Sequence, residues 1–459
     1  MKSIWLTLGA LLAGVIATMA QTPAPSPAVT VQPLAIKHLT LDNGLQVYSV
    51  EDHSSPTVAV QVWYHVGSKD DPNGRSGFAH LFEHMMFKGN DHLKPETFEN
   101  LTENIGGQNN AYTAPDVTVY HEVIPSNYLE PILWAEAERM SSLALNDANF
   151  ASERDVVKEE YRQRVLANPY GEFFLAIEQN SFSKHPYQRP GIGNIAELDA
   201  SKLAEVRAFH STFYRPDNAT LVVAGDFKPN ELEAWVKKYF GAVKKPSTKI
   251  PRVTVTEPAR KQDARKTIAS AKAPLPAVAV TFLAPSIRSE DSYALSLADT
   301  ILSGGESSRL YQSLIYEQQI ATRVGFDVDL RKDLGLLNFR VILASGKSVG
   351  DAEKALDAEI QKVLKDGVTE DELNKAKNQY LTSKLRELQT ANGKASAIGE
   401  AAVMYGNAQH ANQELARIQA VTADQIKAAL NKYIAGKKRV VVEYSPAAPK
   451  TAAAMTKHE

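Results

Sequence analysis

Residues 57–62 read TVAVQV, and residues 278–282 repeat this pattern as VAVTF. Both runs are rich in β-branched residues, which favour strands, and each leads into a predicted helix. Later in each half, a helix leads into another strand, at residues 219–224 (ATLVVA) and 439–443 (RVVVE). Because strands cluster at both ends of each half with helices between them, the pattern predicts an α+β fold. We expect two similar domains, each a largely antiparallel sheet packed by helices.

A change of composition at residues 244–263 marks the boundary between the two halves. This stretch (KKPSTKIPRVTVTEPARKQD) is charged, is interrupted by prolines and lacks helical periodicity. Such a composition predicts a linker. We therefore expect an N-terminal domain at residues 36–243, a C-terminal domain at residues 264–446 and a tail at residues 447–459.

The first 20 residues have the layout of a secretory signal peptide. Lys2 is followed by an almost wholly apolar run at residues 4–16 and then by small residues. The run is short for a transmembrane span, although an uncleaved N-terminal anchor is the alternative interpretation. Residues 21–35 form a Pro-rich leader, and no later segment predicts a stable membrane span. We expect an exported protein, periplasmic if the host is Gram-negative.

Composition excludes several classes of function. The 459 residues include 51 Lys and Arg against 53 Asp and Glu, for a formal net charge of −2. This balance argues against nucleic acid as a partner, since nucleic-acid binders usually carry a basic excess. Cysteine is absent from the chain, which excludes disulfides, thiolate metal sites and cysteine nucleophiles. Any metal ion must therefore be bound by histidines and carboxylates.

The most informative short motif is HLFEH at residues 80–84, within a mostly apolar stretch that predicts a helix. On a helix, His80 and His84 lie one turn apart on the same face, so both imidazoles can reach one metal ion. Glu83 stands beside them and can accept a proton from a metal-bound water. The pattern H-x-x-E-H is the inverse of the H-E-x-x-H metallopeptidase helix. A surface helix with two solvated histidines is the alternative, but polar groups in an apolar run need partners.

A catalytic zinc ion usually takes three protein ligands, so a third must come from elsewhere in the chain. The best segment is FASERDVVKEEY at residues 150–161, whose apolar residues follow a helical stripe. Glu153 and Glu160 lie two turns apart on roughly one face of this helix. Spacing alone does not rank Glu153, Glu159 and Glu160 as ligands, and an acidic helix is often only a solvated face.

The chain resembles the pitrilysin, insulysin and mitochondrial processing peptidase family of inverted-motif zinc metallopeptidases over about residues 36–445. The resemblance rests on an ordered set of motifs: LDNGL at 41–45, GFAHLFEHM at 77–85, NAYT at 110–113, EAERM at 136–140, and the segment from Glu153 to Glu160. The resemblance implies that Glu160 is the third ligand, 76 residues after His84, and that Glu153 orients a ligand imidazole. It also implies that Asn110 and Ala111 lie on an edge strand that receives an extended peptide substrate.

The resemblance further implies the activity of a zinc endopeptidase that hydrolyses short or unfolded polypeptides, with Zn²⁺ as cofactor and Glu83 as catalytic base. The second domain contains no H-x-x-E-H motif. Aligning Gly89 with Gly305 places Ser296, Asp299 and Thr300 opposite the motif's three polar residues. We expect this domain to close a chamber and contact substrate without binding metal.

One departure from the family pattern predicts a partner. Active relatives often carry an Arg and, seven residues later, a Tyr in the second domain, where they bind substrate and stabilise the oxyanion. In this chain Ile315 and Thr322 occupy those positions, and Tyr316 and Arg323 lie one residue away in reverse order. We therefore expect this chain to be the metal-bearing subunit of a heterodimer, in which a homologous partner supplies the Arg/Tyr pair. The alternative is a non-catalytic peptide-binding or scaffold subunit, which would have no reason to retain the metal ligands and the base together.

Overall fold

The computed structural model of the chain describes residues 32–95 and 97–447. The predicted signal peptide lies outside these residues, as do residues 21–31 of the predicted leader and residues 448–459 of the predicted tail. Within the described part, every helix is too short or too polar to cross a membrane.

Two β-sheets form the framework of the structure. The first has six strands in the order β1-β2-β6-β3-β5-β4, and the second has five in the order β7-β11-β8-β10-β9. The strands of the first sheet are β1 (Lys37–Thr40), β2 (Gln46–Glu51), β3 (Thr57–Tyr64), β4 (Gln108–Thr113), β5 (Thr118–Pro125) and β6 (Ala219–Gly225). Those of the second are β7 (Ala264–Ser270), β8 (Ala277–Ala284), β9 (Ala321–Asp329), β10 (Gly335–Leu343) and β11 (Val440–Pro446).

The two sheets repeat one topology. In each, the first strand of the repeat pairs in parallel with the last, as β2 with β6 and β7 with β11. All other pairings are antiparallel. Apart from β1, the strand orders correspond one to one, so that β4 and β9 are equivalent edge strands. The predicted α+β fold, with two similar and largely antiparallel sheets, is confirmed.

Helices cover both sheets. They are α1 (Phe78–Met85), α2 (Thr97–Glu103), α3 (Leu129–Ser141), α4 (Asp147–Tyr161), α5 (Gly171–Ser181), α6 (Ile195–Asp199), α7 (Leu203–Phe213), α8 (Pro229–Tyr239), α9 (Asp291–Ser303), α10 (Val349–Asp366), α11 (Glu370–Glu387), α12 (Ala391–Glu400), α13 (Glu414–Ala420) and α14 (Ala423–Ile434). Residues 240–263 are all described, and they form turns and irregular segments without a helix or a strand.

Each half contributes one helix to the sheet of the other half. The helix α12 packs on β3 and β6 of the first sheet, where Ala395 and Ile398 contact the side chains on one face. In return, α5 packs on the second sheet through Phe173 and Ile177. The predicted domain boundaries follow chain order and therefore assign both helices to the half that they do not cover.

The exchange explains why β3 is buried on both faces. One face of β3 carries Val58, Val60 and Val62 into the first core, and the other face meets α12. The buried Gln61 is satisfied there, because its Nε2 donates to Ser396 Oγ at 3.0 Å and its Oε1 accepts from Trp63 Nε1 at 2.9 Å. A strand that is buried on both faces typically has a nearly continuous apolar sequence.

The packing of α12 on the first sheet depends on the absence of a side chain at Gly399. A Cβ atom at Gly399 would lie 2.2 Å from Cε2 of the buried Trp63, closer than any real contact. We expect Gly399→Ala to lower the free energy of unfolding by about 1–3 kcal/mol, because overpacking forces side chains and backbone to shift. Gly350→Ala is the matched control, since Gly350 is an exposed helical glycine where an added Cβ would meet only Ser348 Oγ, at an ordinary contact distance of 4.0 Å. Urea unfolding of both variants checks the prediction, and equal midpoints would contradict it.

Candidate metal centre

The start of α1 is fixed by a buried aspartate. Asp71 accepts hydrogen bonds from the backbone N–H groups of Gly77 and Ala79, at 2.7 and 2.8 Å. These are donors that the first turn of a helix leaves unsatisfied. Gly77 has φ 90°, and a Cβ there would lie 2.7 Å from the Cα of Gly193, so the position requires glycine. Burial raises the pKa of Asp71 to about 8, against the effect of the two hydrogen bonds.

The two faces of α1 have different roles. Phe78, Leu81, Phe82 and Met85 are buried in the first core. The remaining face carries His80, Glu83 and His84 towards α4 and β4, the elements that α1 contacts on that side. The helical spacing predicted from residues 80–84 is thus realised, and both imidazoles lie on one face.

His80, His84 and Glu160 bring one ligand atom each within 4.8 Å of one another. Glu160 Oε2 lies 3.4 Å from His80 Nε2 and 3.3 Å from His84 Nε2. Two ligands of a tetrahedral zinc ion, each about 2.1 Å from the metal, are separated by about 3.4 Å. The donor types and spacing therefore fit a zinc ion. This is the one such group of three or more side chains within residues 32–95 and 97–447.

The two histidines have opposite electrostatic environments. Burial and the neighbouring His84 lower the pKa of His80 to about 4, so its imidazole is neutral and able to ligate a metal. Burial also opposes the charged form of His84, but contacts with Glu153 and Glu160 raise its pKa to about 9. The two carboxylates beside His84 thus favour positive charge at this point of the site.

Carboxylates and cations behind the group hold it in place. Glu153 is buried, and its Oε2 lies 3.7 Å from His84 Nδ1, while its Oε1 pairs with Lys88 Nζ at 3.0 Å. The other oxygen of Glu160, Oε1, pairs with Arg164 Nη1 at 2.8 Å. Arg164 was not singled out from the sequence, although its position four residues after Glu160 was a usable signal.

The structure shows which of the three candidate glutamates face the histidines, a choice that their spacing in the sequence did not decide. Glu153 and Glu160 face the histidines, two turns apart on α4. Glu159 lies on the outer surface, where it pairs with Arg162 at 3.2 Å and accepts a bond from Gln163. Glu159 points away from the histidines, although Glu160 faces them, because consecutive residues of a helix project about 100° apart.

Glu83 lies beside the histidines and is hydrogen-bonded to β4. Thr113 Oγ1 donates to Glu83 Oε2 at 2.6 Å. Burial raises the pKa of Glu83, and the bond from Thr113 opposes that rise. A carboxylate with a raised pKa is a better proton acceptor near neutral pH than an exposed one.

Asn110 and Ala111 lie on the same strand as Thr113. β4 is the last strand of the first sheet and pairs only with β5 in the described part of the chain. β4 is therefore an edge strand, the kind of strand to which a further strand can be added.

In the second half, α9 occupies the place of α1 without its ligands. Asp299 Oδ2 accepts a hydrogen bond from the backbone of Val328 on β9 at 3.1 Å, and Thr300 bonds within its own helix. Ile315 packs against the second core, and Thr322 Oγ1 donates to the carbonyl of Ile342. Tyr316 is 71% exposed.

Known proteins resemble this chain in sequence and in fold. Residues 46–193 match the family described as "Insulinase (Peptidase family M16)", and residues 202–380 match "Peptidase M16 inactive domain". Zinc protease PqqE of Helicobacter pylori is 33% identical over 74% of this chain and 77% of its own length. The probable mitochondrial-processing peptidase subunit beta of Arabidopsis thaliana is 27% identical over 89% of this chain and 78% of its own. A crystal structure of a protease from Helicobacter pylori has a TM-score of 0.87 at 27% identity, covering 90% of this chain and 100% of that one.

The duplicated sheet and the H-x-x-E-H helix are those of inverted-motif metallopeptidases. The chain belongs to the insulinase family, peptidase family M16, as the resemblance indicated. The match to the inactive domain begins at residue 202. His80, His84 and Glu160 all lie before that residue, within the other match.

Proposed function

We propose that this chain is a zinc-dependent endopeptidase that hydrolyses short or unfolded polypeptides. The observation that carries the proposal is the convergence of His80, His84 and Glu160 on one point, with Glu83 beside them. Relatives named zinc proteases support zinc as the cofactor. In this proposal the three converging side chains are the ligands.

A bound zinc ion would acidify a water molecule and polarise the scissile carbonyl. Glu83 accepts the proton of the attacking water and returns it to the leaving amine, and Thr113 fixes the carboxylate for this exchange. Asn110 and Ala111 line the free edge of β4, where an extended substrate adds as a further strand. Strand addition requires an unfolded backbone, which favours short or unfolded polypeptides as substrates.

We further propose that the chain is exported and acts with a homologous partner. The apolar run after Lys2 supports export, to the periplasm in a Gram-negative host. Ile315 and Thr322 leave the chain without the guanidinium and phenol groups of active relatives at these positions, which supports a partner subunit. The Arabidopsis relative is itself named as a subunit.

Peptide hydrolysis by the chain alone and with a partner tests the proposed function. We expect the isolated, zinc-loaded chain to cleave a quenched peptide slowly. A homologous subunit carrying the Arg/Tyr pair should accelerate cleavage about 100- to 1,000-fold, the worth of an oxyanion donor. Rapid chelator-sensitive cleavage by the chain alone would remove the need for the partner. Cleavage that resists a chelator, or none in any mixture, would favour a non-catalytic subunit.

Glu153 gives a second test, of metal affinity. We expect Glu153→Gln to weaken zinc binding about 10- to 100-fold, because the neutral amide no longer orients His84 by charge. Asp155→Asn is the matched control, since Asp155 lies on the same helix but is largely exposed and pairs only with Lys158 among the described residues. Competition with a zinc-binding dye measures both affinities. Equal losses in the two variants would assign the effect to helix stability.

A further inference from the structure

The equivalent edge strands β4 and β9 differ in what satisfies their outward backbone groups. In an antiparallel pair, residues whose N–H and C=O groups face the partner strand alternate with residues whose groups face away from it. β9 pairs only with β10 in the described part of the chain, and Phe326 and Val328 are residues of β9 that face away. Such outward groups are the ones with which an added strand pairs.

Two side chains of α9 bind these outward groups of β9. Asp299 Oδ2 accepts a hydrogen bond from the backbone N–H of Val328 at 3.1 Å. Ser303 Oγ donates to the backbone carbonyl of Phe326 at 3.0 Å. Asp299 and Ser303 lie four residues apart and therefore on one face of α9. Together they supply one acceptor and one donor, as the C=O and N–H groups of one residue in an added strand would do.

The corresponding residues of the first half leave the backbone of β4 alone. Glu83 and Phe87 stand opposite Asp299 and Ser303 when Gly89 is aligned with Gly305. Glu83 accepts its hydrogen bond from the side chain of Thr113, at 2.6 Å. Phe87 has no polar side-chain atom and packs against the first core. The same two helical positions therefore bind the edge backbone in the second half and leave it unbound in the first.

On β4, an outward N–H group is covered only by the strand's own side chain. The N–H of Ala111 donates to Asn110 Oδ1 at 2.8 Å, and Asn110 is exposed. A substrate carbonyl can replace this amide, which then turns into solvent. Asp299 and Ser303 are half-buried, so a peptide that displaced them would leave a carboxylate and a hydroxyl without partners, at a cost in free energy.

We propose that Asp299 and Ser303 substitute for a bound strand, so that they close β9 and restrict the addition of an extended peptide to β4. This inference rests on the proposed addition of substrates at β4. It makes the two residues determinants of where a polypeptide binds. The sheet edge beside Glu83 accepts the peptide, and its equivalent in the second half does not.

Photo-crosslinking of an uncharged peptide tests the proposal. The probe is a capped peptide of alternating threonine and alanine with one benzophenone side chain, and mass spectrometry identifies the strand to which it is linked. The zinc-loaded Glu83→Gln chain, used to avoid cleavage, should be linked at β4 alone. Adding Asp299→Ala and Ser303→Ala should raise the affinity at β9 by about tenfold or more, because the peptide no longer competes with two hydrogen bonds.

Conservative variants separate closure of the edge from support of the fold. Asp299→Asn combined with Ser303→Thr keeps an acceptor and a donor, and should be linked at β4 alone. Thr300→Ala is the matched control and should behave in the same way, since Thr300 Oγ1 bonds within its own helix, to the carbonyl of Ser296. Asp299→Ala and Ser303→Ala are also made singly. Each should give weaker linkage at β9, which keeps the test decisive if the double variant does not fold.

Linkage at β4 and at β9 is measured separately, which distinguishes this inference from the proposed function. Linkage at β9 in the alanine variants, with none at β4 in any chain, would support the closure and contradict strand addition at β4. Linkage at β9 in the parent chain, or none there in any folded alanine variant, would overturn the closure. Linkage at β4 would in that case still support the proposed function.

Discussion

Glu83→Gln should bind zinc as tightly as the wild-type chain and lose hydrolysis by about 100- to 10,000-fold. The loss is that of general acid–base catalysis, since an amide cannot accept the proton of the attacking water. Zinc binding should persist because Glu83 is not among the three converging ligand atoms. Glutamine keeps the shape of the side chain and can still accept the hydrogen bond from Thr113.

Asp299→Asn is the matched control for this variant. Asp299 lies on α9, opposite Glu83 when Gly89 is aligned with Gly305, and asparagine can still accept the hydrogen bond from Val328. We expect this variant to keep wild-type hydrolysis. Both rates are measured with enzyme in excess over a quenched peptide, and metal content is determined on the same samples. Hydrolysis by Glu83→Gln within tenfold of wild type would exclude Glu83 as the base.

Glu160→Gln should lower zinc affinity by at least about 100-fold, because it removes the only anionic ligand of the proposed set. Loss of a residue that merely orients a ligand already costs 10- to 100-fold, so loss of the ligand itself should cost more. Glu159→Gln is the control, because Glu159 is adjacent in sequence but lies on the outer surface with Arg162. Titration of zinc against a competing chelator distinguishes the two variants, and equal affinities for zinc would contradict the assignment of Glu160.

Local spacing was sufficient to predict the parts of the site that lie on single helices. His80 and His84 share a face because four residues make about one turn, and no tertiary information was needed. The choice among Glu153, Glu159 and Glu160 required the orientation of α4 against α1. The structure supplies that orientation through Glu160, whose Oε2 meets both imidazoles.

Long-range packing accounts for what the sequence did not predict. The exchange of α5 and α12 depends on contacts between residues far apart in the chain, such as the close fit of Gly399 on Trp63. The cavity that α5 forms beside His80 likewise depends on residues that are distant in sequence.

Crystallography of the zinc-loaded chain, with anomalous data at the zinc edge, tests the central claim most directly. The account predicts one strong peak about 2.0–2.2 Å from His80 Nε2, His84 Nε2 and a carboxylate oxygen of Glu160. Zinc bound elsewhere, or a peak that lacks any of these three ligands, would contradict it.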